Sequence, residues 1–435
     1  MLVGCMDEYL SIKSDKSLVI PATLQDFRAL MDNADVMNQV LPYLGHVSSD
    51  DFFMFPKDYD ATRDIFKRNA YIWKADIYEG VTVPDWNRSY QQIFYANNVL
   101  EGLQDLNSTE PEAKILEGTA LFFRAFAFYN LSQLFCGPYR IDGENTDLGL
   151  PLRLNKDINK IVGRSTVGET YQQMVVDLEK AIPLLPEESI IKTRPTRYTA
   201  LLLLARLHLL MGDYRSAKLC SEEIVERMEL IDFNTLKPED AYPMAQYNKE
   251  VLLHSSIAFV STVASTDYVD STLMDSYEID DLRKSLWFIP KEKYYIFKGN
   301  YTGGALLFNG LALDEAFLIH IEALGRLQEW ERGREVLRQY LKSRYKVGSQ
   351  INLTMIQTNE SLIDYVLEER RKALLYRTIR WTDIRRLNKN YDANIVLSRR
   401  MGNTVIELPP NHSNFALPIP DDVIFLSGIQ QNERE

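Results

Sequence analysis

Residues 194–228 read RPTRYTALLLLARLHLLMGDYRSAKLCSEEIVERM, and this stretch decides the fold. Thr196 follows a proline and precedes an apolar run, which indicates a helix start with Thr196 as its N-cap. Residues 200–211 are apolar almost all round, which predicts a helix buried on most sides. Gly212 can take the left-handed conformation that ends a helix, and Asp213 can cap the next one. The stretch therefore predicts a helical hairpin.

The second helix of this hairpin is amphipathic. Ala217, Cys220, Ile224 and Met228 fall on one stripe at spacings of three and four, and charged residues lie away from it. Ala205 and Ala217 are small where the two helices must approach closely. The unit resembles one tetratricopeptide repeat.

Two further stretches share this character. Residues 313–345, LDEAFLIHIEALGRLQEWERGREVLRQYLKSRY, form a weaker copy in which Trp330 and Gly333 keep the pattern and Ile321 breaks the small-residue rule. Residues 117–134, EGTALFFRAFAFYNLSQL, combine small and aromatic side chains at the same density. About three or more such units are needed to bury one another. Because long insertions separate them here, the pattern predicts a mainly α fold that is not a simple solenoid.

The remaining segments give weaker signals. They predict helices over 25–31, 60–73, 86–103, 166–185 (with a Thr166 and Glu169 capping box) and 361–387, and irregular stretches over 229–312 and 390–435, the former with β-like runs at 251–260 and 294–298.

Composition excludes some classes of function. The 435 residues carry a net charge of −12 and no basic run, which argues against a nucleic-acid partner. Apolar residues make up 46% of the chain, enough for one large domain or two closely merged ones. No stretch approaches the roughly 18 unbroken apolar residues of a membrane span.

The three cysteines differ in their setting. Cys136 and Cys220 are predicted to be packed thiols, and no spacing suggests zinc or a redox pair. Leu2-Val3-Gly4-Cys5 resembles a bacterial lipobox, in which the cysteine becomes lipidated. The charged and apolar regions of a signal peptide are absent upstream, so an ordinary terminal cysteine stays the alternative at this point.

No catalytic signature is present. The sequence has no Gly-x-Ser-x-Gly, no His-Glu-x-x-His and no phosphate-binding glycine loop. His208 and His320 fall within predicted helices, which favours packing over reactivity. An acidic cluster could hint at glycosidase carboxylates or a Ca²⁺ site, but it lacks an EF-hand pattern, so a solvated loop is the favoured interpretation. Its members are Asp275, Glu278, Asp280 and Asp281. The sequence predicts no enzyme, no cofactor and no metal.

Aromatic loops are a better signal. The chain holds 24 Tyr, 19 Phe and 5 Trp. Exposed rings on a rigid scaffold suit the apolar C–H faces of sugars, while Asn, Asp and Arg bond the hydroxyls. The predicted ligand residues lie in 71–87 and 265–303, with core packing as the alternative for Trp73 and Trp86. They are Trp73, Asp76, Tyr78, Trp86, Asn87, Tyr268, Tyr277, Trp287, Asn300 and Tyr301.

An ordered set of motifs resembles the SusD/RagB family of surface glycan- and nutrient-binding lipoproteins of Bacteroidota. Each motif is weak, but the set spans nearly the whole chain. Its carriers are Trp86…Tyr90…Ile93…Asn97, Glu117…Arg124-Ala125…Tyr129, Gly137-Pro138, Gly149-Leu150-Pro151-Leu152, Arg164-Ser165-Thr166-Val167, the hairpin at 200–217, Asp281-Leu282-Arg283, Leu313-Asp314-Glu315-Ala316, Glu368-Glu369-Arg370-Arg371, Arg380-Trp381 and Leu417-Pro418-Ile419-Pro420.

The resemblance implies an organisation. Residues 1–24 would be a lipoprotein anchor and tether with Cys5 lipidated at the outer membrane, and 25–435 a single SusD-like domain. Its helical scaffold would be mainly 86–228 and 313–387, with an irregular insert at 229–312 and an irregular segment at 388–435. The sequence departs from the family pattern at Ala373-Leu374 and at Arg377-Thr378-Ile379, which puts local salt bridges in doubt.

The resemblance also implies a function. The chain would capture an oligosaccharide with insert loops away from the tetratricopeptide face, and pass it to a SusC-like TonB-dependent transporter. Peptide binding, as in RagB-like members, is the alternative within the family. A tetratricopeptide scaffold for protein partners is an alternative of another class, and a glycoside hydrolase is disfavoured by the missing site.

Overall fold

The computed structural model describes residues 21–40, 43–81, 84–257 and 265–435. The predictions about Cys5 and about the first twenty residues of the tether fall outside these ranges. Within them the chain is mainly α, as the sequence predicts. None of the helices in these ranges has the length and apolarity needed to cross a bilayer.

The helices of the described residues number seventeen. They are α1 Leu24–Met31, α2 Ala34–Met37, α3 Tyr43–Ser48, α4 Pro56–Ala61, α5 Ile65–Tyr71, α6 Pro84–Leu106, α7 Pro111–Phe135, α8 Val167–Ala181, α9 Arg197–Met211, α10 Tyr214–Arg227, α11 Ser271–Ser276, α12 Leu282–Trp287, α13 Leu313–Arg326, α14 Trp330–Lys342, α15 Asn359–Ala373, α16 Ile379–Asn390 and α17 Asp421–Ser427.

The strands are short and few. They are β1 Gln39–Val40, β2 Phe52–Phe53, β3 Val251–Leu253, β4 Ser256–Ile257, β5 Tyr268–Val269, β6 Phe288–Lys291, β7 Tyr294–Phe297, β8 Leu311–Ala312, β9 Leu397–Met401 and β10 Thr404–Leu408, and two 3₁₀ turns span Phe233–Thr235 and Ser413–Phe415.

Helices α9 and α10 form the predicted hairpin, with the predicted ends. The Thr196 side chain accepts a hydrogen bond from the Thr199 N–H, and Gly212 ends α9 at a φ of 76°. Asp213 accepts a hydrogen bond from the Ser216 N–H at 3.1 Å and caps α10. Twelve of the fifteen residues of α9 are buried, which confirms the prediction of a helix covered on most sides.

The buried face of α10 differs from the predicted stripe by one position. Ala217 and Ile224 are buried as expected, but Ser221 is buried and Cys220 is only half-buried. The physical reason is that α10 packs against α13 as well as α9. The Ser221 hydroxyl lies 3.2 Å from His320 Nδ1 of α13, so the contact face turns toward that helix.

The weaker repeat also forms a hairpin, from α13 and α14, and both helices pack on α15. Glycine is required at position 333 because the neighbouring side chains leave no space for a β-carbon. A β-carbon at this position would come within 2.3 Å of Leu362 Cδ2 and 3.5 Å of Leu324 Cβ. The small residue at position 333 therefore marks a close contact between helices, although Ile321 departs from the repeat pattern.

Two predicted helices are divided. The stretch 60–73 contains the end of α4 and all of α5, with a break between them. The stretch 361–387 is divided between α15 and α16, where Tyr376 and Thr378 take positive φ angles of 58° and 65°. Arg377, at a position that departs from the family pattern, is buried here and pairs with Asp314 at 2.8 Å.

Strands from the irregular insert pair with strands from the N-terminal segment. The largest sheet has the order β2-β5-β7-β6, all antiparallel. Strand β1 pairs with β4 in parallel, β3 with β8 and β9 with β10 antiparallel. The insert is therefore built onto residues 39–53 and is not a separate helical layer.

Buried ion pairs join the helices. The Arg124 guanidinium of α7 donates to both oxygens of Asp177 in α8, at 2.7 and 2.8 Å. Arg206 of α9 donates to both oxygens of Glu315 in α13, at 2.6 Å each. Removing one partner of such a pair leaves an uncompensated buried charge, so these contacts fix the relative placement of the helices.

Candidate functional site

The predicted ligand aromatics are mostly in the core. Six of the seven are at most 4% exposed, so their faces are covered by other side chains. They are Trp73, Tyr78, Trp86, Tyr277, Trp287 and Tyr301. As stacking platforms for a sugar they are wrongly placed. Only Tyr268 keeps part of its ring in water, and its assignment to a ligand site stays a prediction.

The polar tips of three of these buried rings hold loops together. The Trp73 indole N–H donates to the Ser48 carbonyl at 2.9 Å, and the Tyr78 hydroxyl donates to the Pro418 carbonyl at 2.7 Å. The Tyr301 hydroxyl donates to a Glu250 carboxylate oxygen at 2.6 Å. A loop aromatic can turn inward because its one polar atom finds a partner there.

The predicted polar partners are also scattered. Asn300 is buried, whereas Asp76 and Asn87 are exposed. Asp76 accepts hydrogen bonds from the backbone N–H groups of Tyr78 and Glu79, so it organises its own turn.

The acidic cluster is divided by its contacts. Asp281 is buried and paired with Arg283 at 2.6 Å, and Asp280 lies 3.7 Å from Lys346. Among the described residues no group of three His, Cys, Asp or Glu side chains is arranged to hold a metal ion.

Four other rings form an open aromatic cluster, which we call the aromatic platform: Phe53, Phe55, Tyr268 and Tyr294. All six distances between their ring centroids lie between 5.2 and 5.6 Å. Phe55 is 37% exposed, and the other three rings are half-buried. Rings that pack against one another and still reach water provide apolar faces and polar edges in one place.

The strands explain why these rings face the same way. Phe53 pairs with Tyr268 across β2 and β5, and Tyr268 pairs with Ile296 of β7. Tyr294 is two residues before Ile296, so it points to the same face of the sheet. The adjacent residues Phe52 and Val269 are both 1% exposed, because they point to the opposite, core-facing side.

Two lysines flank the platform. The Lys291 ammonium lies 5.1 Å from the Tyr268 ring centroid, and the Lys293 ammonium lies 5.2 Å from that of Tyr294. Lys291 also donates to the Ser265 carbonyl at 2.6 Å. The phenol hydroxyls of Tyr268 and Tyr294 have no hydrogen-bond partner within the described residues. The platform thus offers apolar faces, two free hydroxyls and a positive margin.

Ion pairs beneath the platform hold its strands. The Lys67 ammonium lies 2.6 Å from Asp267, the residue before β5. Arg371 contacts Asp270, the residue after β5, at 3.0 Å and Asp50, close to β2, at 3.2 Å. Because Arg371 bridges segments that carry two of the rings, it fixes their relative position.

Two neighbouring carboxyls below β2, those of Asp50 and Asp51, have pKa values shifted in opposite directions. Burial disfavours the charge on Asp50, but the guanidinium groups of Arg380 and Arg371 hold its pKa below the usual range. Burial, together with the charge of Asp50, raises the pKa of Asp51 to about 7. Asp51 accepts one hydrogen bond, from the Tyr376 N–H at 3.2 Å. Asp51 therefore changes charge near neutral pH directly beneath the platform.

A cleft of about 400 Å³ adjoins the platform at Phe53. It is lined by Met54, Tyr71, Asp270, Ser271, Thr272, Asp275, Ser398, Arg399 and Arg400. Asp275 and Arg400 are exposed, and neither makes an ion pair with another described residue. These groups can hydrogen-bond hydroxyls of a ligand that lies across the rings.

Sequence reasoning missed three of the four platform rings. Phe53 and Phe55 lie in an aromatic and acidic stretch, 50–59, and Tyr294 lies in a run with β character, 294–298. Both signals were visible in the sequence. That Phe53 and Tyr294 would share one sheet face was not, because β5, the strand that pairs with both β2 and β7, is adjacent in sequence to neither.

Larger cavities lie elsewhere in the described residues, and two of them are relevant to ligand binding. One, of about 930 Å³, is open at the edge strand β6 and is lined by Tyr295, Lys284 and Lys298 among others. The ammonium groups of these lysines donate to backbone carbonyls, those of Met274 and of residues 238 and 240. The other, of about 570 Å³, lies beside α6.

Comparison with known proteins identifies the fold. A SusD superfamily protein of Bacteroides thetaiotaomicron has a TM-score of 0.77 at 21% identity, over 95% of this chain and 100% of that one. A SusD-like carbohydrate binding protein of Bacteroides vulgatus has a TM-score of 0.71 at 17% identity, over 94% and 97%. The hairpins and the insert sheet therefore form the SusD fold.

Sequence comparisons agree with the fold. The SusD-like family model "Starch-binding associating with outer membrane" matches residues 8–209. SusD-like protein P2 of Formosa agariphila is 22% identical over 411 residues, covering 78% of each chain. Residues 8–209 therefore resemble the SusD-like family, and the chain as a whole has the SusD fold, in agreement with its ordered motifs. The family model describes a binding function, which agrees with the prediction that the chain is not an enzyme.

Proposed function

We propose that this protein captures an oligosaccharide on the aromatic platform and delivers it to a SusC-like TonB-dependent transporter of the outer membrane. The observation that carries the proposal is the cluster of four mutually contacting, water-accessible rings, Phe53, Phe55, Tyr268 and Tyr294. The match to the family model supports it, since that model is described as starch-binding and associated with the outer membrane.

The geometry suits weak and reversible capture. Ring faces cover the C–H faces of sugars, and the free hydroxyls of Tyr268 and Tyr294, with Asp275 and Arg400 in the adjoining cleft, meet sugar hydroxyls. Dissociation constants near micromolar to millimolar correspond to about −8 to −4 kcal/mol, which a few such contacts supply. A ligand held this weakly is easily released to a transporter.

Calorimetry with malto-oligosaccharides and a glycan array tests the proposal. Tyr268→Ala and Phe55→Ala should each weaken binding roughly tenfold or more, since each removes a stacking face. Tyr247→Ala is the matched control, because Tyr247 is 46% exposed and outside the platform. Folded platform variants that bind every glycan as wild type does would refute the assignment.

Peptide capture is the second candidate, and Lys291 and Lys293 favour it. Their ammonium groups beside Tyr268 and Tyr294 would attract an acidic peptide. Binding of a neutral glycan should change little between low and high salt, whereas binding of a charged peptide should weaken steeply. Calorimetry at two salt concentrations, with Lys291→Gln as a probe, separates the two ligands.

The anchor is part of the same proposal. Residues 1–24 would tether a single domain, 25–435, to the outer membrane through lipid on Cys5. Acyl chains contribute about 0.8 kcal/mol per buried CH₂. Mass spectrometry of protein from its native membrane should find an acylated Cys5, and co-purification should recover the transporter. An unmodified Cys5 in membrane-derived protein would refute the anchor.

A further inference from the structure

The cavity beside α6 is a second concave site. It has a volume of about 570 Å³ and lies between α6, the loop 151–162 and α17. Ligand sites of small molecules have volumes in this range. Most of the side chains that line it are apolar. These are Trp86, Ile93, Phe94, Pro151, Ile158, Ile161, Val162, Val423, Leu426 and Ile429.

Several polar groups that line the cavity already make hydrogen bonds within the protein. The Asn97 amide donates to the Arg153 carbonyl at 2.9 Å, and its oxygen accepts a hydrogen bond from Arg124 at 3.0 Å. The Tyr90 hydroxyl donates to the Pro151 carbonyl at 2.9 Å. These groups hold the loop to α6, so they are not available to the many hydroxyls of a sugar.

Two donors of the cavity remain unengaged. The Arg153 guanidinium is half-buried and makes no hydrogen bond or ion pair with the described residues, and the Trp86 indole N–H has no acceptor among them. The charged lining residues are Arg153, Lys156 and Asp157, and Lys156 lies 3.5 Å from Glu101. Arg153 is therefore an uncompensated cation in an apolar cavity of a protein whose net charge is −12.

The apolar walls are open to water. Leu426 is 76% exposed, Ile158 is 69% exposed and Ile161 is 68% exposed. Helix α17 buries none of its own residues. Exposed apolar side chains that cluster in one place mark interaction sites, since scattered single ones are the norm on a soluble surface.

We propose that this cavity binds an amphiphilic anion: a hydrocarbon body with one carboxylate or phosphate group. The anion pairs with Arg153, whose planar guanidinium can donate two parallel hydrogen bonds. The Trp86 N–H supplies a further donor, and the hydrocarbon covers Ile158, Ile161 and Leu426. Free fatty acids and the acyl chains of anionic lipids share this chemistry. The site is distinct from the aromatic platform and does not depend on the function proposed for it.

Calorimetry of the full chain tests the proposal with decanoate, 1-decanol and butyrate. Decanoate should bind at one site, roughly tenfold or more tighter than 1-decanol, and butyrate should not bind. Arg153→Gln should remove the preference for decanoate and keep the affinity for 1-decanol. Leu426→Ser should weaken both. Arg338→Gln, at a half-buried arginine of α14 outside the cavity, is the matched control and should change neither.

A vesicle arm distinguishes the two sources of the ligand. If the protein cosediments with phosphatidylglycerol vesicles and Arg153→Gln does not, the ligand is a membrane lipid. If the protein binds decanoate but does not cosediment with the vesicles, the ligand is a free amphiphile. Both outcomes support the site. The proposal is overturned if wild type binds neither decanoate nor the vesicles. It is also overturned if folded Arg153→Gln binds decanoate and the vesicles as wild type does. Circular dichroism melting confirms folding of each variant.

Discussion

Phe53 of β2 and Tyr268 of β5 lie directly opposite each other, with ring centroids 5.6 Å apart and ring planes 25° from parallel. This cross-strand pair joins the N-terminal segment to the irregular insert at the aromatic platform. The rings come from distant parts of the chain, so the platform exists only when both segments are folded against each other.

The first prediction concerns this pair. A double-mutant cycle with Phe53→Ala and Tyr268→Ala should give a coupling free energy of about 0.5–1.5 kcal/mol in unfolding, because each ring loses the same partner. Urea unfolding of the four proteins measures it. Additive effects of the two substitutions would show that the rings do not stabilise each other.

The second prediction concerns α9. Leu204 is buried, so Leu204→Ala should cost about 2–5 kcal/mol of unfolding free energy through lost burial and a cavity. Leu219→Ala, at a position 65% exposed, should change it by less than about 0.5 kcal/mol. Glycan affinity should survive in the folded fraction of both. A Leu204→Ala protein with the wild-type melting temperature would contradict the role of α9 as a buried helix.

The third prediction concerns the buried ion pair of Arg206 and Glu315. Arg206→Met leaves the Glu315 carboxylate buried without its main partner and should cost about 3–5 kcal/mol. The solvent-accessible pair of Arg338 and Glu335 is the control, and Arg338→Met should cost less than about 1 kcal/mol. Denaturant unfolding compares the two variants. Equal losses in both would mean that burial does not govern the contribution of these pairs.

The fourth prediction concerns pH. Burial raises the pKa of Asp51 from 3.8 to about 7 in the folded protein, so the folded state binds this proton more tightly than the unfolded chain. Asp51 therefore lowers stability increasingly as pH rises from about 4 to 7. Asp51→Asn, which carries no charge, should gain on the order of 2–3 kcal/mol relative to wild type between pH 5 and pH 8.

Urea unfolding at several pH values measures that gain. Asp364→Asn removes an exposed carboxyl of α15 by the same substitution and serves as the control. A pH-independent difference for Asp51→Asn would show that the Asp51 carboxyl is already ionised at low pH in the folded state.

Sequence reasoning found the SusD-like resemblance and the helical scaffold, but six of the seven aromatic residues that it chose for a surface are buried. Trp86 was placed among glycan-stacking rings, whereas it lies at the wall of the cavity beside α6. Tyr277 was read as a loop residue, yet its hydroxyl donates to the Lys372 carbonyl at 2.8 Å in the core. The error at Tyr277 has a physical cause: a ring in an irregular segment carries no local signal for the side it will face.

The sequence by itself determined the two helices of the 196–228 hairpin and their ends. Thr196, Gly212 and Asp213 act through hydrogen bonds and backbone angles within a few residues, so their roles follow from the local sequence. The tertiary structure alone decided which aromatics meet water. Trp287 and Tyr268 lie in the same irregular stretch, yet Trp287 is 1% exposed and Tyr268 lies on the platform. Exposure depends on pairing between distant strands, and no local pattern encodes that pairing.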